Sequence, residues 1–86
     1  MCLGVPGKVV AITNAQDQLG LVDICGIQRE VNLACVVSGA VEELINRWVL
    51  IHVGFAMCVI DEEQARKTLA ALQEMQQLEE LHINQD

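Results

Sequence analysis

Hydrophobic and polar positions along this chain change their period once, near Asp61. Before it, short apolar runs rich in β-branched residues alternate with polar or glycine-containing breaks, which is the pattern of strands and turns. Lys8 to Ile12 predicts a strand and Asn14 to Gln18 a turn. Leu19 to Ile24 and Ile27 to Leu33 predict a hairpin, with Cys25-Gly26 between them, where glycine supplies the positive φ of a tight turn. Val36-Val37 extends that strand or starts another, and Ser38 to Arg47 holds a helical turn at 41–45 or a long loop. Trp48 to Val53 is nearly all apolar, which predicts a strand buried on both faces. Gly54 then interrupts, as at a bulge or close backbone approach, before a further strand from Phe55 to Ile60.

After Asp61 the period becomes helical. Asp61 suits the cap, Gln64 stands at the capping-box position, and Glu62 and Glu63 favour the positive end of the helix dipole. Ala65, Leu69, Leu72, Met75 and Leu78 recur every three or four residues, so one face packs. The expectation is a mainly β single domain over 1–86: a small OB-like β-barrel in 1–60, a C-terminal α-helix over 61–82 and a tail at 83–86.

Composition sharpens this. The chain has 86 residues, 52% of them hydrophobic, but Trp48 and Phe55 are its only aromatics, so aliphatic side chains must build the core. His52 and Gly54 break the longest apolar run well short of a membrane span. The N-terminus shows neither the basic segment nor the long apolar run of a signal peptide, and the expectation is a cytoplasmic protein. Its four cysteines, Cys2, Cys25, Cys35 and Cys58, are then expected as free thiols, and none forms a C-x-x-C pair. The net charge is −7, from 12 acidic and 5 basic residues. With so few basic residues and two aromatics, the chain lacks the basic groove and stacking rings of a nucleic-acid binder.

Two residues stand out as chemistry. Removal of the initiator methionine leaves Cys2 at the chain start, beside an α-amine that is mostly protonated at neutral pH. A neighbouring positive charge raises the thiolate fraction, and thiolate binds soft metals and attacks electrophiles. Gly4, Pro6 and Gly7 follow as a shaped segment that presents this end. His52 lies in the most hydrophobic strand; it is a core histidine, or a ligand or proton carrier at a strand end beside Gly54. Cys25 falls in a turn, whereas Cys35 and Cys58 fall in apolar runs and are expected to be buried packing. Met57 and Met75 are likewise expected to pack. No Ser-His-Asp set, phosphate loop or pair of catalytic carboxylates stands out, so the chain is not expected to be an enzyme.

"MCLGVPGKV" at residues 1–9, "DICGIQREV" at 23–31 and "WVLIHVGFAM" at 48–57 occur in that order. On these segments the chain resembles the HypC/HybG/HupF family of nickel–iron hydrogenase maturation chaperones. The resemblance implies an OB-like barrel with a C-terminal helix, and a chaperone rather than an enzyme. It implies two partners, the maturation protein HypD and the immature hydrogenase large subunit. The cargo it implies is an iron with cyanide and carbon monoxide ligands, held transiently, with no permanent cofactor. It assigns Cys2 and His52 as iron ligands, and Cys2, Pro6 and Gly7 as the segment that meets partners. Two alternatives stand beside this reading. One is an OB-type protein-binding module with no metal role. The other is a cysteine-based enzyme with Cys2 as nucleophile and His52 as base, although no orienting third residue is evident.

Overall fold

The computed structural model describes the backbone of residues 4–84 and the side chains of residues 4–74. Five strands precede one helix: β1 (Val5–Asn14), β2 (Leu19–Ile24), β3 (Ile27–Asn32), β4 (Trp48–His52), β5 (Phe55–Ile60) and α1 (Glu62–Asn84). The strands close into a barrel in the order β1-β2-β3-β5-β4. This is the mainly β barrel with a terminal helix that the periodicity predicts, and α1 runs two residues past the expected end at 82.

β1 serves two neighbours. Its residues Val5 to Lys8 pair with β4, and Lys8 to Asn14 pair with β2. Register shifts between Val9 and Ala11, and between Ile12 and Asn14, each insert one extra residue. Such bulges bend and twist a strand, which lets β1 leave one partner for the other. Pro6 sits where only β4 is bonded, so its missing N–H leaves no ladder bond unmade. At buried Gly7 the strands crowd: a Cβ there would lie 2.5 Å from Val22 Cγ1 and 2.8 Å from Ile51 Cδ1.

Both hairpins turn in two residues. Cys25 and Gly26 have φ of 53° and 89°, and Val53 and Gly54 have φ of 55° and 82°. Positive φ at both central positions matches the twist of the flanking strands. Gly54 therefore ends a hairpin turn and is neither the bulge nor the close backbone approach expected from sequence, for a Cβ there would meet nothing within 4 Å. The bulge lies three residues on: Leu50 pairs with Cys58 but Ile51 with Ala56, leaving Met57 extra on β5. Val53 is the costly choice at the turn, because a β-branched side chain in the left-handed region crowds its own backbone. Val53→Asn is expected to raise stability by about 1 kcal/mol, a Tm gain of roughly 4–8 °C on a thermal melt.

Inside the barrel, Val9, Val22, Val31, Leu33, Val49, Ile51 and Ala56 form the core. Val41 and Leu44, from a short 3₁₀ turn at Val41–Leu44, complete it. Val36-Val37 joins no strand; both residues lie half-buried against the core, in and after a turn that Val36 closes by donating its N–H to the Leu33 carbonyl at 3.0 Å. β4 alternates: Val49 and Ile51 are buried, while Trp48, Leu50 and His52 are only half-buried. The expected burial on both faces is thus corrected; the outer face is covered in part by α1 and by the chain at Gly4.

Asp61 caps α1 as expected. Its Oδ1 accepts the Gln64 N–H at 2.7 Å, and its carbonyl accepts the Ala65 N–H at 3.0 Å. Ala65 is fully buried and Leu69 and Leu72 are half-buried, on the stripe that faces β1 and β4. The side chains of Met75 and Leu78 lie outside the described residues. No helix among the described residues is long and apolar enough to cross a membrane.

Candidate functional site

The site is built around the start of β1. Val5 pairs with Ile51 and Pro6 with Leu50, in antiparallel register. The chain therefore enters the barrel beside the end of β4 that carries His52. Gly4 approaches so closely that a Cβ there would collide with the Leu50 side chain. His52 is the last residue of β4, half-buried, opposite Phe55 across the Val53-Gly54 turn. It is a strand-end histidine at the rim of the barrel and not a core one.

Cys2 lies outside the described residues. Pro6 and Gly7 are both buried within β1, with Pro6 among the fully buried side chains. They fix the course of the strand and do not offer a free surface.

The other thiols are placed differently from expectation. Cys25 is exposed in its turn, as expected, but Cys35 and Cys58 are exposed as well. Cys35 sits in the turn that follows β3. Cys58 follows the extra residue Met57, and Met57, Cys58 and Val59 are exposed in succession. The bulge breaks the in-out alternation that would have buried one of them. Met57 is 54% exposed, so it is not the packing residue that was expected. No disulfide links these three cysteines.

Among the described residues no group of three or more His, Cys, Asp or Glu side chains converges as a metal site. No buried polar or charged side chain is found among them either. An open pocket of about 380 Å³ is lined by Trp48, Arg47, Ile60 and Asp61. It lies at the opposite end of β4 from His52 and has no part in the site.

Sequence reasoning missed the apolar surface beside His52. Val53 is 79% exposed and Phe55 47%. The available signal was the Val53-Gly54 dipeptide between two apolar runs, the same hairpin signature that Cys25-Gly26 gave. The continuous apolar character of 48–60 hid it.

Comparison with known proteins covers most of the chain. The family model for the HupF/HypC family matches residues 1–72. The hydrogenase maturation factor HypC of Rhodobacter capsulatus is 51% identical over 80 residues, covering 93% of this chain and 83% of its own length. The hydrogenase maturation factor HybG of Escherichia coli K12 is 51% identical over 75 residues, covering 87% of this chain and 92% of its own. The HypC of the same strain is also 51% identical, over 79 residues. Neither name describes an enzyme. The chain belongs to the HupF/HypC family of hydrogenase maturation chaperones.

Proposed function

We propose that this protein works with HypD to carry an iron bearing two cyanides and one carbon monoxide to the immature large subunit of a nickel–iron hydrogenase. Cys2 and His52 are its iron ligands. The observation that supports this reading is the pairing of Val5 with Ile51, which sets Val5, three residues after Cys2, beside the strand end holding His52. Chain geometry limits the rest: Leu3 alone separates Cys2 from Gly4, so their Cα atoms lie at most about 7 Å apart.

The chemistry favours delivery over storage. Thiolate is a soft ligand and imidazole suits iron. One thiolate and one imidazole leave most of the coordination shell to the diatomic ligands and to the partner. A closed four-ligand cage would retain the metal. A thiolate at the chain terminus can pass between two proteins and release what it holds. Pro6 and Gly7 serve docking indirectly, by fixing where the terminal residues leave the barrel.

Reconstitution tests the proposal. With HypD loaded anaerobically with the iron group, the large-subunit precursor is expected to gain iron and its cyanide and carbon monoxide bands only when this protein is added. His52→Ala is expected to slow that transfer at least tenfold. Equal transfer with the protein omitted would contradict the carrier role.

A further inference from the structure

We propose that the free edge of β5 receives an extended segment of a maturation partner, apolar at alternate positions and basic at its flank. The inference rests on the partner-binding role proposed above and adds the surface that performs it. β5 bonds along its length to β4, but its other side meets β3 in a single bridge, Asn32 with Phe55. One further bond, from the Asn32 N–H to the Gly54 carbonyl at 3.0 Å, closes the barrel there. From Ala56 to Ile60 no other backbone partner is seen among the described residues.

Exposure agrees with an open edge. The bulge accounts for Met57 and Cys58, but Val59, which faces fully buried Val49 across the β4–β5 ladder, is still 36% exposed. Proteins usually protect such edges with lysine, proline or inward charge. No residue from Val53 to Ile60 is charged or proline. Val53, Phe55, Met57 and Val59, on either side of the bulge, leave this edge apolar and exposed. Unpaired main-chain groups beside an apolar strip are what strand addition uses: backbone bonds give affinity, and alternate side chains give choice of partner.

Charge selects the occupant. A second copy would set a net −7 against −7. Asp61, Glu62 and Glu63 follow β5 directly and are exposed. A foreign strand with lysine or arginine just beyond its apolar stretch meets them favourably, and such complementarity also steers encounter.

Met57→Lys and Val59→Lys test the edge, with Ile27→Lys as control, because Ile27 is 58% exposed on β3. Thermal melts show that each variant remains folded. Binding to purified HypD and to the large-subunit precursor is then measured, with amide hydrogen exchange across 56–60. The expected result, with at least one partner, is a tenfold or greater rise in Kd for both edge variants and under twofold for the control. Exchange in wild type should slow at β5 on binding. Edge variants that bind both partners within twofold of wild type, with no slowing at β5, overturn the inference and leave the chaperone role standing. Weaker binding without slowing at β5 overturns strand addition. If wild type binds neither partner, the chaperone reading fails and the inference falls with it. Concentration-dependent self-association with slowed exchange at β5 would make a second copy the occupant, and overturn the foreign strand.

Discussion

Replacing Cys2 by alanine is expected to abolish hydrogenase maturation in cells while leaving the thermal melt unchanged. The expectation has two parts. Cys2 precedes every described strand, and the described barrel core runs from Val9 to Ala56, so the fold is expected to survive the substitution. It does remove the only thiol near the chain start, and with it the soft ligand on which transfer depends. Cys25 and Cys35 provide the internal controls. Both are exposed and free, so Cys→Ser at each is expected to leave both maturation and stability close to wild type. Maturation by the Cys2→Ala variant at the wild-type level would remove the thiol from the mechanism.

Leu33→Ala is expected to be the most damaging single change to the fold. Leu33 is fully buried and heads the largest fully buried side chains. It lies just past β3, where its N–H reaches the Gln18 carbonyl at 2.8 Å, and its side chain lies against Gly20 on β2. Truncation removes apolar burial and leaves a cavity, together about 2–5 kcal/mol. Domains of this size hold about 5–15 kcal/mol in total. A Tm loss above about 10 °C is expected, since each kcal/mol shifts a domain this small by roughly 4–8 °C. A loss under about 3 °C would show that the barrel interior collapses around the deletion and is less tightly packed than described here.

Local signals made most of the fold legible. β2 appeared with its bounds because Leu19 to Ile24 sits between a polar turn and a Cys-Gly dipeptide. The helix start was legible because Asp61 and Gln64 satisfy a cap that needs only neighbours. Only the middle of β1 is legible as a strand, since its first residues, Val5 to Gly7, include proline and glycine, which are poor strand formers. Their pairing with β4 is a long-range fact that propensity does not carry. The exposure of Cys58 and Met57 is not legible for a related reason. Apolar residues are assigned inward by type, and only the bulge and the single β3–β5 bridge reveal that this edge is open.

For the site, the two residues with unusual chemistry were legible as types in unusual places: a cysteine at position 2 and a histidine in an apolar strand. Their relation was not, because it depends on the antiparallel register of Val5 with Ile51. Val53 could not be read as strained from sequence either. Its cost follows from a φ of 55°, set by the two-residue turn.

The most direct test of the carrier role is infrared spectroscopy of the tagged protein, purified anaerobically from cells that are making hydrogenase. Wild type should show cyanide and carbon monoxide stretching bands together with bound iron, and Cys2→Ala should show neither. Bands of equal intensity in the two samples, or iron without bands in both, would contradict delivery of the iron group through the N-terminal thiol.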